Sequence, residues 1–287
     1  MQVKVNGVRL YFDVEGMGLV PDGPRMRKRP TLLLLHGGPG ADHSIYKPDF
    51  AALADVAQVI WLDHRGAGRS EAGDPALWTL AQWGEDVHAF CETLGIERPV
   101  VYGASFGGFV AQAYATARPE HPAGLILAST AARFDFAAMI AAFGRIGGPG
   151  AEEAAAGYWL APSAESRARY HEICLPLYTR RPAPPDFWAR IPQGTEISLH
   201  FNGPGREQGR FDYREALARL ACPTLVLCGE DDPVTPIPFS EEIARCAPPA
   251  LTRFERLADC GHGVTQDQPE RAFALMRDFI RRCGEAA

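Results

Sequence analysis

The sequence holds 287 residues, 46% hydrophobic and 22% charged, which leaves room for one large buried core or a core carrying an insertion. With 29 Lys plus Arg against 35 Asp plus Glu, the formal charge of −6 excludes a broad basic face for nucleic acid, and no apolar run reaches the roughly 18 residues of a membrane span. Seven cysteines, with no CxxC pair, argue against a disulfide framework, and the N-terminus alternates in polarity unlike a signal peptide, so a reducing cytoplasm is the expected compartment.

Residues 2–6 and 8–14 predict two short strands about Asn6-Gly7, a hairpin signal. Residues 16–30, rich in Gly, Pro and Arg, predict a loop. Thr31–Leu35 is a continuous apolar run, which suits a central strand covered on both faces, and it runs directly into His36-Gly37-Gly38-Pro39-Gly40. Residues 50–56 predict a helix and Gln58–Leu62 a strand ending in DHRGAGRS, residues 63–70. A helix is expected over 78–94, stopped by Gly95, then a strand over Pro99–Tyr102, the turn GASFGG at 103–108, a helix over Val110–Ala117 and a strand over Gly124–Ala128. Strand and helix alternate at short spacing, the pattern of an α/β fold with a mostly parallel sheet and helices on both faces.

The rhythm breaks over residues 133–219, which are Ala-rich, interrupted by Gly and Pro, and studded with aromatics such as Tyr158, Trp159, Tyr170, Phe187 and Trp188. This stretch reads as a mostly helical cap inserted into a core formed by 1–132 and 220–287. The α/β rhythm then returns with strands at Thr224–Cys228 and Leu251–Phe254 and helices at 238–246 and 269–282.

Gly103-Ala104-Ser105-Phe106-Gly107 is a GxSxG sequence between a predicted strand and a predicted helix, the context in which that motif exposes a serine hydroxyl on a sharp turn. Ser105 is therefore the expected nucleophile, and it needs a base. Of eight histidines, His262 follows the last predicted strand and shares the sheet edge on which strand-end loops converge. His36 and His64 also reach that edge and are expected to brace loops, while His88 lies within a helix. The base needs an acid, and GEDDPVTP at 229–236 offers Asp231 and Asp232 on the same edge, with Glu230 behind them and spacing alone leaving both aspartates open. For the oxyanion, the N–H of Phe106 and one from the 36–40 loop are expected: Gly38 first, Gly37 as the fallback, while Pro39 has no N–H. No cluster has metal-ligand spacing, HxxxH and HExxH are absent, no dinucleotide fingerprint stands in context, and the chemistry calls for neither metal nor cofactor.

HGGPG, DHRGAGRS, GASFGG, GEDDPVTP and GHG together resemble the proline iminopeptidase branch of the α/β-hydrolases, along nearly the whole chain. The resemblance implies Asp232 as the acid, a bracing role for Asp63 and Arg65, and release of an N-terminal residue from a short peptide or small amide. It also implies that Gly37 lies against the substrate and that a cap carboxylate, Glu196 first among the cap acids, binds its free amine. Phe106 stands where that family often has Trp, which removes an indole N–H donor. Esters and lactones are the alternative substrates of the same machinery.

Overall fold

Thr31–Leu35 forms a strand at the heart of an eight-stranded sheet, and its side chains explain the unbroken apolar run. Leu33 and Leu35 enter one core, Leu32 and Leu34 the other, and all four are at most 1% exposed. A strand sandwiched between two helical layers has no solvent face to mark with polar residues. In the computed structural model, which describes residues 1–184, 186–192 and 194–285, the strands are β1 (Gln2–Val5), β2 (Val8–Glu15), β3 (Leu19–Asp22), β4 (Arg25–Lys28), β5 (Thr31–Leu35), β6 (Gln58–Leu62), β7 (Val100–Ala104), β8 (Gly124–Ala128), β9 (Thr224–Gly229) and β10 (Thr252–Leu257). The large sheet has the order β1-β2-β6-β5-β7-β8-β9-β10, antiparallel at β1-β2-β6 and parallel from β6 to β10.

Helices α1 (Leu80–Leu94) and α2 (Phe106–Ala117) cover one face. Thr79 caps α1 through its hydroxyl, and Gly95 ends it at φ 66°, the left-handed conformation that favours glycine there. Between β8 and β9 lie α3 (Phe136–Gly147), α4 (Pro149–Leu160), α5 (Ala164–Ile173), α6 (Phe187–Arg190), α7 (Thr195–Phe201), α8 (Glu207–Arg210) and α9 (Arg214–Leu217). The chain leaves and re-enters the sheet layer at one place: Arg133 bridges Asp212, and Tyr213 N–H donates to Ala132 C=O at 2.8 Å. Ile243 of α10 (Ile237–Cys246) joins the α1/α2 core, a short helix α11 (Val264–Asp267) follows, and α12 (Pro269–Glu285) buries Met276, Phe279 and Ile280 on the opposite face.

Three expectations need correction. Residues 16–30 are not all loop, because β3 and β4 pair as a separate two-stranded hairpin. Residues 50–56 form instead a short 3₁₀ turn at Asp49–Leu53. Helix α2 begins at Phe106 rather than Val110, since Gly107 and Gly108 are helical here despite their low propensity. Both are glycine for lack of space: a Cβ on Gly107 would strike Leu35 C=O, and one on Gly108 would strike the Thr130 side chain. Among the described residues, no helix is long and apolar enough to cross a membrane, and the seven cysteines are free thiols.

Candidate active site

Ser105 joins β7 to α2 with φ 54° and ψ −124°, a strained conformation for a residue with a Cβ. Such strain costs on the order of 1–3 kcal/mol and persists only where neighbours over-determine it. Here they do. Ser105 N–H is shared by the carbonyls of Ala128 and Ser129 at 3.0 and 3.1 Å, and Thr130 Oγ1 donates to Ser105 C=O at 2.8 Å. Both flanking glycines are required, since a Cβ on Gly103 would meet Gly107 C=O and one on Gly107 would enter β5. The turn therefore hands the side chain to a cavity of about 190 Å³ lying between the sheet edge and residues 134–208.

His262 lines the same cavity, with its side chain 9% exposed. Its Nδ1 donates to Asp232 Oδ2 at 2.8 Å. Asp232 is buried, and each oxygen is occupied: Oδ1 accepts from Val234 and Thr235 N–H at 2.8 and 2.9 Å, and Oδ2 also accepts from Thr235 Oγ1 at 2.8 Å. Burial alone would raise the Asp232 pKa, but the His262 charge and these bonds outweigh it and hold the carboxyl below its usual range. Asp231 faces away and pairs with Arg180 at 3.4 Å. The two aspartates that spacing left open are thus separated by which one reaches His262.

Gly37 and Gly38 both line the cavity. Gly37 lies against Ser105, where a Cβ on Gly37 would come 3.4 Å from that of Ser105, and Gly38 has φ 132°. Helix α7 holds this loop from above: Gly194 N–H donates to Gly40 C=O at 2.9 Å, and Ser198 Oγ to Pro39 C=O at 2.7 Å. Phe106 opens α2, so its N–H belongs to the first turn, which has no partners within the helix. Its ring is buried among Trp83, Phe109 and Phe201. Phe109, one turn further on, lines the cavity together with Phe134 and Phe187.

Glu196 is a correction. Its neighbours Ile197, Ser198 and Phe201 form the buried face of α7, so Glu196 falls on the outer face, exposed and away from the cavity. The other cap acids are elsewhere too: Glu153 pairs with Arg169, and Glu207 accepts Leu80 N–H at the start of α1. Among the described residues no Asp or Glu lines the cavity. Its walls are largely aromatic and aliphatic, including Phe134, Trp159, Phe187 and Ile191, and its cationic side chain is Arg167 of α5, which donates to Thr195 Oγ1 at 3.3 Å.

His36 and His64 brace the loops beneath. His36 Nε2 accepts His64 N–H at 3.1 Å, and His64 stacks on Trp83. Arg65 makes a two-point pair with Asp86, both bonds 2.8 Å. Burial lowers the pKa of His36, partly offset by the charges of Asp63 and Asp42, and lowers that of His64 well below the usual imidazole value, with His36 adding to the effect. The folded protein keeps both rings neutral while the unfolded chain protonates them near 6.5, so this stability is complete above about pH 6.5 and is lost as pH falls below it. Each ring should contribute up to about 1.4 kcal/mol of loss per pH unit until its folded pKa is reached. Urea unfolding between pH 8 and 5 should show this decline, and a flat profile would contradict it.

Sequence reasoning missed Asp267. It is fully buried in α11, and its carboxylate accepts the N–H groups of Arg180 and Arg181 at 2.9 Å and of Gly261 at 2.7 Å. His262 N–H also donates to Tyr178 C=O at 2.6 Å, and the two rings meet edge to face. Asp267 thus ties the His262 loop to residues 178–181. Asp267→Ala would strand three amides at about 1–3 kcal/mol each. We expect a loss of at least about 3 kcal/mol in urea unfolding.

Among the described residues, tertiary structure brings together two groups of side chains of metal-ligating type that are not adjacent in the sequence. In Asp42–His43–Asp63 the oxygens are already engaged: Asp63 accepts His43 N–H, His43 Nδ1–H and Arg69 N–H, and Asp42 accepts Ser44 N–H. The other group is His88, Glu92 and His121.

A family model described as the alpha/beta hydrolase fold matches residues 30–267. The chain belongs to that family. This α/β hydrolase is 28% identical over 298 residues to RutD of Caulobacter sp. (strain K31), a protein named as a carbamate hydrolase, with 97% of each chain covered. It is 27% identical over 274 residues to a proline iminopeptidase of Lactobacillus helveticus, covering 88% of this chain and 90% of that one, in keeping with the resemblance carried by its loops. A thermophilic esterase from Thermogutta terrifontis superposes with a TM-score of 0.70 at 26% identity over 99% of both chains.

Proposed function

We propose that the protein is a serine hydrolase that cleaves small esters or lactones through an acyl-enzyme on Ser105. Ser105 Oγ attacks the acyl carbon as its proton passes to His262 Nε2. The carbonyl electron pair moves onto oxygen, where the N–H groups of Gly38 and Phe106 receive the charge. Collapse breaks the bond to the leaving oxygen, which takes the proton from His262, and water then repeats the sequence to free the acid. Asp232 keeps the His262 proton on Nδ1 so that Nε2 can act as base. Residues 133–219 serve as the cap and 1–132 with 220–287 as the catalytic core.

The observation that carries the substrate class is the cavity wall. A free α-amino group needs a counter-charge when water is stripped from it, and no carboxylate among the described residues lines the cavity. Arg167 would repel an ammonium further. An ester or lactone carries no charge to balance and suits aromatic walls. Aminopeptidase activity remains the second reading, supported by the similarity to proline iminopeptidases over 88% of the chain. A panel of short-chain aryl esters, lactones, prolyl arylamide and its N-acetyl form tests the choice. Esters or lactones should be turned over at least a hundredfold faster than prolyl arylamide. Prolyl arylamide as the best substrate, with the N-acetyl form inert, would overturn it.

A further inference from the structure

Helix α1 carries His88 and Glu92 one turn apart, a spacing that places both side chains on one strip of its surface. The chain brings His121 to that strip from the turn after α2, the helix packed beside α1. One donor atom from each of the three lies within 4.8 Å of the other two. His121 Nε2 is 3.7 Å from the Glu92 carboxylate, and the His88 and His121 rings meet edge to face with centroids 4.8 Å apart. The sequence gives little warning of this group, since its pair is HxxxE and its third member is on another element.

The state of His121 points to a ligand. Its Nδ1 is hydrogen-bonded to the Tyr114 hydroxyl, whereas its Nε2 is buried and has no hydrogen-bond partner among the described residues. A buried ring nitrogen that faces a carboxylate and a second imidazole, yet bonds to neither, is costly unless something sits between them. Tyr114 oxygen can accept Nδ1–H, and that tautomer leaves the Nε2 lone pair directed at the cluster. This is the orienting contact that metal-bound histidines commonly have on their other nitrogen.

We propose that His88, Glu92 and His121 form a binding site for a divalent transition-metal ion of the Zn²⁺ type, separate from the Ser105 cavity. Two imidazoles and one carboxylate suit Zn²⁺, Co²⁺ or Ni²⁺, whereas Mg²⁺ and Ca²⁺ prefer all-oxygen sets. Bonds of 2.0–2.2 Å in a tetrahedral site put ligand atoms about 3.3 Å apart, so the widest pair must close by up to about 1.5 Å. Glu92 is 64% exposed at its side chain and His88 is half-buried, and rotation of these side chains supplies that closure. The ion would pin α1 to the turn after α2, with water completing its coordination.

Titration of the full-length protein with ZnCl₂ in a non-chelating buffer, followed by calorimetry and by Tm, tests this. The wild type should bind one equivalent and gain Tm, and His88→Ala and Glu92→Gln should each weaken binding at least tenfold. Both positions lie at the surface, so these variants keep the fold. Tyr114→Phe, which keeps every ligand, should weaken binding roughly 10–100-fold. Wild type and His88→Ala titrating alike would place any bound zinc elsewhere and overturn the proposal, as would no heat and no Tm change at millimolar Zn²⁺.

Discussion

Replacing Ser105 with alanine is expected to lower turnover by about 10⁴-fold or more, because the proposed attacking oxygen is lost while the cavity and the remaining groups stay in place. Backbone bonds, not the hydroxyl, hold this turn: Ala128 and Ser129 carbonyls take the N–H and Thr130 takes the C=O. Alanine therefore inherits the φ 54° turn together with its strain. Glycine would not, since it reaches positive φ without a Cβ clash. Ser105→Gly should be equally inactive yet more stable than Ser105→Ala by about 1 kcal/mol. Turnover on the best substrate and urea unfolding of the three proteins check both statements. Residual turnover within tenfold of wild type would remove Ser105 as nucleophile. Alanine and glycine variants of equal stability would show that the turn is not strained.

The parts of the fold that the sequence reveals are those where burial is absolute. Thr31–Leu35, Gln58–Leu62 and Gly124–Ala128 have the expected bounds because both faces of each strand are covered, so composition changes abruptly at their ends. The hairpin β3/β4 escaped because Arg25–Lys28 is wholly exposed and three of its four residues are charged, with no buried apolar face to betray a strand; only Asp22-Gly23 at its turn was a signal. The site divides in the same way. Ser105, His262 and the 36–40 loop stand at strand ends, where topology makes them converge. Glu196 and Asp267 do not. Whether a side chain on a cap helix faces in or out depends on a rotation of about 100° per residue, and a helix of seven residues between Gly194 and Asn202 carries too little periodicity to fix it. Asp267 binds backbone amides of residues 180, 181 and 261, and backbone amides leave no trace in residue types.

Asp232→Asn should be nearly as damaging as loss of the serine, and the hydrogen bonds say why. Asp232 Oδ1 accepts two backbone N–H groups, from Val234 and Thr235. An asparagine must keep its carbonyl oxygen there, because its NH₂ would set donor against donor. That choice turns the NH₂ toward His262 Nδ1, which today donates to Oδ2 at 2.8 Å. Two donors cannot share that contact, so Nδ1 has to give up its proton and become the acceptor. The ring proton then sits on Nε2, which can no longer take the proton of Ser105. The fold changes little, since the bonds from Val234 and Thr235 N–H survive, but the base is in the wrong tautomer. Turnover is expected to fall on the order of 10⁴-fold, with Tm within a few degrees of wild type. Asp231→Asn is the matched control, because Asp231 contacts Arg180 and not His262, and it should stay within about threefold of wild type in turnover, the effect of breaking one surface pair. If Asp231→Asn were the inactive variant and Asp232→Asn the active one, His262 would draw its orientation from elsewhere and the acid would have to be reassigned.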